Sequence, residues 1–311
     1  MDGVKMMKYV LVFSGQGSEH VGMFNSFLNE SDDLEWTIEV FKERIGLDIS
    51  NFINSNDREV VAMNNQILLY VYHQIVSKML IEKIGFSPIL CMGHSFGQFS
   101  ALVNSGTVAF IDMAKFIVER TKIINSPDIE VKAVFKSIHG ITIEAFNEFQ
   151  EKEGLKGDVE LALHNQKEQI VVAVTEDGKN KLNLLSNTYN YVIKAMNVSR
   201  PYHTIFMEEY NSLLLPYIKE MNFKNSQYPV FMNNSTRAIN NGQLLLAETE
   251  IQMTKPVFWY ESIEKVSDII DAFFIIDPGE TQFKIIKRIS DKRIYNVNNM
   301  GVIKSIEKRG F

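Results

Sequence analysis

Short, wholly apolar runs alternate along this chain with longer stretches of helical period. Tyr9–Phe13 is five apolar residues stopped by Ser14-Gly15, and Pro88–Met92 is a run of the same length stopped by Gly93. Uninterrupted apolar runs of this length predict strands buried on both faces. Ile67–Ile84 carries apolar residues at helical spacing and predicts a core helix. Phe99–Asn104, closed by Gly106, and Phe110–Ile124 predict two more. Strand and helix in alternation predict an α/β architecture.

Between about 129 and 197 the rhythm changes. The pattern predicts a strand at Val131–Ile138, a helix at Ile143–Lys152, strands at Val159–His164 and Gln169–Val174, a helix at Asp177–Leu185 and a strand at Tyr191–Asn197. This β-α-β-β-α-β order is the split-βαβ, ferredoxin-like signature. The expected fold class is therefore α/β, with a large subdomain over 1–128 and 198–311 and a small ferredoxin-like subdomain inserted at 129–197. Beyond the insertion the pattern predicts a helix near Ile205–Met221, a strand near Pro229–Met232 and helices around 246–267. A strand at Ala272–Ile276, a helix after Gly279 and a strand at Arg293–Val297 follow.

Composition narrows the function classes. The 311 residues, 45% hydrophobic and 23% charged, fit a globular chain of about two domains or subdomains rather than a disordered or collagenous one. The formal net charge of −6 disfavours a general nucleic-acid binder, which would be basic. A single cysteine, Cys91, cannot form an internal disulfide. No apolar stretch approaches the roughly 20 residues needed to span a bilayer. Met1-Asp2-Gly3 and the short run after it do not make a signal peptide. The expectation is a cytoplasmic protein.

The strongest chemical signal is Gly93-His94-Ser95-Phe96-Gly97 between a predicted strand and a predicted helix. G-x-S-x-G in that setting is the pattern of a nucleophile elbow, which lifts the serine hydroxyl above the strand ends. The helix that follows turns its N-terminus toward the reacting centre, and the N–H of Phe96 is a natural oxyanion donor. Ser95 then needs a base. His73 lies within an apolar helix, His139 precedes Gly140 at a strand end, and His94 adjoins the nucleophile, where a supporting role fits better. His203 lies on a junction loop, Ser199-Arg200-Pro201-Tyr202-His203-Thr204, and is the leading base candidate, with His20 and His164 behind it. The Ser, acid, His order of α/β-hydrolases fits poorly, because about 108 residues follow His203.

These residues resemble the malonyl-CoA:acyl carrier protein transacylase family and, more broadly, the acyltransferases that load extender units in fatty-acid and polyketide synthesis. Phe13-Ser14-Gly15-Gln16-Gly17-Ser18 resembles the family's F-P-G-Q-G-S, and Gly93–Gly97 its G-H-S-x-G. Arg120 stands where the family has a carboxylate-binding arginine. His164-Asn165 with Gln169–Val172 resembles N-x-P-x-Q-V-V-I, and Pro201-Tyr202-His203 the histidine motif. Gln252–Trp259 resembles a segment ending in N-P-V-x-W, and Asp277-Pro278-Gly279 the late G-P-G. The resemblance implies Ser95 as nucleophile and His203 as general base and acid. It implies the main-chain carbonyl of Gln252 as the group orienting that histidine, in place of a triad carboxylate. The N–H groups of Gln16 and Phe96 would form the oxyanion hole, and Arg120 would hold the malonyl carboxylate. His94, Tyr202, Asn165 and Arg200 would line or support the pocket. No metal and no cofactor are implied, since coenzyme A or phosphopantetheine enters as substrate. The partners implied are an acyl carrier protein and a malonyl-type thioester, with no nucleic acid or membrane, for a monomer acting in trans.

Several positions depart from the family pattern. Ser14 replaces a proline, which is expected to loosen its loop; Asn64-Asn65-Gln66-Ile67 replaces T-Q-P-A, Gln98 a glutamate and Asp277 a glycine. Tyr202 fits an unbranched malonyl unit, while its hydroxyl and Arg200 could instead serve a hydroxy- or amino-substituted one. Two alternatives share the scaffold. One is a hydrolase clearing acyl groups from carriers, against which Arg120 argues; the other is a non-catalytic carrier-binding module. The densest basic run, Lys284, Lys287, Arg288, Lys292 and Arg293, is the candidate docking site for an acidic carrier.

Overall fold

In the computed structural model the described residues are 7–309 apart from 29, 31, 86, 190, 197 and 199. Two sheets organise them. The first contains β1 (Tyr9–Phe13), β2 (Leu90–Gly93), β7 (Val230–Phe231), β8 (Ala238–Ile239), β10 (Ala272–Ile276) and β11 (Arg293–Val297). Their order is β11-β10-β1-β2-β7-β8, parallel except for the β7–β8 hairpin. Every residue of β1, β2 and β10 is buried, which is why these strands read as unbroken apolar runs. Helices cover both faces, and the 20-residue helix Asn65–Ile84 is the largest buried one.

The second sheet contains β3 (Val134–His139), β4 (Val159–Gln166), β5 (Gln169–Val174), β6 (Val192–Ala195) and β9 (Val257–Phe258). The order β6-β3-β5-β4 is antiparallel throughout and is that of the expected ferredoxin-like unit. β5 is apolar on both faces for a visible reason. Val171 and Ala173 pack into the main core, while Ile170, Val172 and Val174 pack under the helices Ile143–Lys152 and Glu176–Tyr189 with Phe146, Phe149 and Leu182. Side chains alternate across a strand, so one strand serves two cores.

The structure adjusts several expected bounds. β3 starts at Val134, three residues later than the pattern suggested. The helix near 205–221 opens with a tight 3₁₀ turn, Ile205–Met207, before Glu208–Glu220. The region 246–267 is two helices, Gly242–Ile251 and Trp259–Ser267, separated by β9. That two-residue strand pairs parallel with β4 and gives the small sheet a fifth strand from outside the insertion. Helices Asp33–Val40 and Met300–Arg309 were not foreseen. Of the expected last strand of the insertion, Asn197 lies outside the described residues, as does Ser199 of the loop that follows. Among the described residues no helix is long and apolar enough to cross a membrane.

One crossing sets the position of everything near Ser95. The helix Gly97–Asn104 leaves β2 and runs directly over β1. A Cβ on Gly97 would lie 2.2 Å from the carbonyl oxygen of Phe13, and one on Gly93 would lie 2.0 Å from the carbonyl carbon of Gly97. Both contacts are with backbone, which cannot move aside cheaply. Gly97→Ala should therefore destabilise the fold by about 2–3 kcal/mol, read as a lower denaturant midpoint. An unchanged midpoint would show that the helix can slide away from β1.

Candidate active site

Ser95 sits at the tip of the turn between β2 and the helix Gly97–Asn104, with a left-handed backbone at φ 52°. His203, on the loop before the 3₁₀ turn, is also left-handed, at φ 64°. The Ser95 hydroxyl and His203 Nε2 are 2.5 Å apart. His203 Nδ1 lies 2.8 Å from the carbonyl oxygen of Gln252. A carbonyl can only accept, so Nδ1 carries the proton and Nε2 is left free to accept from the Ser95 hydroxyl. No carboxylate takes part in this pairing.

The loop after β1 closes over the same point. A Cβ on Gly15 would meet His94 Nδ1 at 2.8 Å and Ser95 Cβ at 3.6 Å, so Gly15 lets the loop lie against the elbow and brings Gln16 beside it. The Gln16 side-chain amide donates to Asn65 Oδ1 at 3.2 Å. Ser14 does not loosen this loop. Its N–H donates to the Ile276 carbonyl at 3.2 Å, and its hydroxyl is 3.1 Å from His73 Nε2, whose Nδ1 is 2.9 Å from the Ser100 hydroxyl. His73 is thus a buried structural histidine. Phe96 precedes the first helical residue, so its N–H is among those a helix start leaves without an intrahelical partner.

Arg120 comes from the helix Phe110–Asn125 and is 3% exposed. Its guanidinium donates to Gln66 Oε1 and lies 5.7, 5.5 and 5.5 Å from the ring centroids of Phe96, Phe99 and Tyr202. Its Nε is buried with no hydrogen-bond partner, and it forms no ion pair among the described residues. Burial lowers its pKa, against a smaller opposing influence from Tyr202.

His94 and Asn165 meet across the two sheets: His94 Nε2 is 3.0 Å from Asn165 Oδ1, and the His94 ring stands edge-on to Trp259 at 5.1 Å. His164 instead faces Glu261 Oε1 at 2.7 Å. His20 is exposed, with its Nδ1 3.2 Å from the Ser18 carbonyl. Arg200 is tied elsewhere: it donates to the Ser126 carbonyl at 3.3 Å and lies over the Tyr210 ring at 5.6 Å. Asn233, which no sequence signal marked, contacts the elbow. Its Oδ1 accepts from Ser95 N–H at 2.8 Å, its Nδ2 donates to the Gly93 carbonyl at 2.6 Å, and its own N–H donates to Gln98 Oε1 at 3.0 Å. Among the described residues no group of His, Cys, Asp and Glu could hold a metal ion.

A serine on a strand-to-helix turn, paired with a carbonyl-oriented imidazole, is the arrangement of covalent acyl chemistry. The sequence matches the family described as Acyl transferase domain over residues 10–285, and the chain belongs to that family. It is 24% identical over 298 residues to a malonyl CoA-acyl carrier protein transacylase of Bacillus subtilis, covering 92% of this chain and 72% of that one. The fold is shared with the malonyl CoA-acyl carrier protein transacylase of Coxiella burnetii at a TM-score of 0.89, 21% identity and 98% of each chain. It is also shared with a malonyl-transacylase solved with a type II PKS acyl-carrier protein, at a TM-score of 0.88, 22% identity and 97% and 99% coverage.

Burial keeps His203, His94 and His73 neutral. It lowers His203 from the usual 6.5 to about 3, with His94 and Arg120 adding to the shift and the Gln252 carbonyl opposing it. Burial takes His94 to about 4, opposed by Asn165, and His73 to about 3. Between those values and 6.5 the unfolded chain holds protons that the native one does not. Their contribution is therefore complete above about 6.5 and is lost as pH falls. Glu19 opposes this: burial raises its carboxyl from 4.5 to about 7, a contribution present below 4.5 and lost as pH rises to 7. With three groups against one, the denaturant midpoint should fall from about pH 6.5 to about pH 4, with a shallower slope in His73→Gln. A flat profile would contradict neutral burial of the imidazoles.

Proposed function

We propose that the protein moves a malonyl-type unit from a thioester donor to the phosphopantetheine thiol of an acyl carrier protein, through an ester on Ser95. The observation that carries this reading is the buried cation beside the Ser–His pair. A guanidinium taken out of water without an anionic partner is costly unless a ligand brings one. The planar fork of Arg120 matches a free carboxylate with two parallel hydrogen bonds. A neutral acyl group would leave that charge unmatched, which is why transfer of a dicarboxylic unit is favoured over hydrolysis of ordinary acyl groups. The relatives named as malonyl CoA-acyl carrier protein transacylases support the same substrate. The one solved with an acyl-carrier protein supports a carrier that is a separate chain.

The geometry suggests the steps. Ser95 Oγ attacks the donor carbonyl while its proton passes to His203 Nε2. The oxyanion is held by the N–H groups of Gln16 and Phe96. The carbon–sulfur bond breaks, and the leaving thiolate takes the proton from Nε2. The carrier thiol then gives its proton to Nε2 and attacks the ester. Ser95 leaves as the alkoxide and recovers the proton. Donor and product are both thioesters, so the chemistry needs no cofactor. Burial keeps His203 neutral, so Nε2 is free to take the Ser95 proton. Tyr202, against the guanidinium, narrows the space beside the carboxylate and suits an unbranched unit. The ferredoxin-like insertion at 129–197 forms the opposite side of the site through Asn165.

Malonyl-thioester acylation, followed as added mass on Ser95, should be abolished in Ser95→Ala. In Arg120→Ala it should fall by on the order of 100-fold, with acetyl transfer little changed. Equal loss for both acyl groups would remove the assigned role of Arg120, and rapid release of free acid from neutral thioesters with malonyl ignored would favour the hydrolase.

The proposed docking site for the carrier is the basic run near 284–293. Arg288 and Lys194 of the small sheet together act, after burial, to lower His139, a sign that positive charge from both parts meets there. Lys287→Glu with Arg288→Glu should raise the KM for the carrier at low salt and leave that for the small thioester donor unchanged. An unchanged carrier KM would move the docking surface elsewhere.

A further inference from the structure

The described chain has three non-glycine residues at positive φ: Ser95, His203 and Thr236, at 52°, 64° and 50°. Such conformations cost about 1–3 kcal/mol each and persist only where their surroundings over-determine them. Two are the proposed nucleophile and base. The third, Thr236, closes the turn between β7 and β8: its N–H donates to the Met232 carbonyl at 3.2 Å, and Met232 N–H donates to the Arg237 carbonyl at 3.0 Å. The residue that this turn presents is Asn233.

A left-handed Ser95 points its own N–H out of the β2 ladder and away from the helix that follows. Asn233 Oδ1 meets that N–H at 2.8 Å. Gln252 Nε2 meets the Ser95 carbonyl at 2.9 Å. Both polar ends of the strained residue are thus held by side chains 3% and 4% exposed. Asn233 is itself fixed at every polar group. Nδ2 donates to the Gly93 carbonyl, N–H donates to Gln98 Oε1, and its carbonyl accepts from Phe258 N–H at 2.9 Å. This takes a planar group with an acceptor and a donor on separate atoms. Oδ1 serves Ser95 and Nδ2 serves Gly93; a hydroxyl would have to reach both from one atom, and an alkyl group reaches neither.

We infer that Asn233 is a positioning residue for the nucleophile. With the side chain of Gln252 it clamps Ser95 in the left-handed conformation that aims Oγ at His203. Neither residue touches the reacting atoms through its side chain. The role rests on Ser95 being the nucleophile but not on which acyl group it carries, so the test uses a probe indifferent to the acyl donor. A fluorophosphonate reacts with an activated serine: the Oγ–P bond forms, the P–F bond breaks, fluoride leaves and the hydroxyl proton passes to His203.

Loss of the clamp should misplace Oγ by a fraction of an ångström or more. Asn233→Ala should slow fluorophosphonate labelling of Ser95 by on the order of 100-fold, with the near-UV circular dichroism of the native fold retained. Asn233→Asp supplies the diagnostic rescue. Buried and protonated, an aspartic acid copies the amide, accepting from Ser95 and donating to Gly93. Ionised, it repels the Gly93 carbonyl. Its labelling rate relative to the native protein should therefore rise as pH drops from about 8 to about 5.5, a dependence that a general loss of packing would not produce. Gln252→Ala keeps the main-chain carbonyl on His203 and removes only the other half of the clamp; it should slow labelling by about tenfold.

Folded Asn233→Ala labelling within about threefold of native overturns the inference, as does an Asn233→Asp rate that ignores pH. If Asn233→Ala does not fold, the decision passes to Asn233→Asp and Gln252→Ala, and native rates in both overturn it. Labelling of the native protein by the fluorophosphonate, but by no malonyl thioester, would sink the proposed function and leave this inference standing.

Discussion

The left-handed turn at Ser95 is the constraint on which the rest of the site depends. A strand that ends at Gly93 and a helix that begins at Gly97 can meet only if the backbone reverses sharply, and the reversal forces a conformation that side chains disfavour. It also forces the helix down onto β1, so close that residues 93 and 97 must be glycine. The parallel sheet makes the turn possible. β1 and β7 flank β2, and the Phe13 carbonyl accepts from His94 N–H at 2.9 Å. The strain is therefore carried by the most rigid part of the molecule. A surface loop holding the same φ would relax.

The electrostatics follow from the same burial. In water an imidazole is half protonated near 6.5 and a guanidinium is well solvated. Here both lose solvent within one cluster. For His203 desolvation favours the neutral form, which is the form a base needs. For Arg120 desolvation cannot remove the charge, because guanidinium stays protonated even when its pKa falls. The outcome is a neutral imidazole beside a fixed, under-satisfied cation. A lysine in place of Arg120 could escape by shedding its proton.

Much of this was legible in the sequence, and the parts that were not share a cause. The strands β1, β5 and β10 were read to the residue because burial on both faces leaves an unbroken apolar run. Ser95 and His203 stood in motifs whose residue types are chemically demanding, whereas Arg120 was marked only by the family resemblance. Asn233 stood in no such motif: it lies in Asn233-Asn234-Ser235-Thr236, a polar cluster that composition alone reads as a turn. Its role comes from contacts 138 and 140 positions away in sequence, with Ser95 and Gly93. β9 escaped for a related reason, since two residues carry no period. The reading of Ser14 as a loosening substitution failed because the hydroxyl's partner, His73, lies 59 residues on.

The short segment from Gln252 to Trp259 explains why the two sheets act as one site. Gln252 orients His203 through its carbonyl and holds Ser95 through its side chain. Met253 accepts the His203 N–H at 2.7 Å. Val257 and Phe258 then become the fifth strand of the small sheet, beside β4. Trp259 closes on His94, which in turn bonds Asn165 of β4. Eight consecutive residues thus fix Ser95, His203 and the seam between the sheets. A hinge between the sheets would have to break β9 from β4 or drag the Gln252 carbonyl off His203. Because that carbonyl is a main-chain atom, it keeps its place only if the backbone around it does. A carboxylate on a flexible side chain could follow a moving histidine; a backbone carbonyl cannot. The choice of a carbonyl as the orienting group therefore commits the fold to a rigid seam, and β9 is what supplies it.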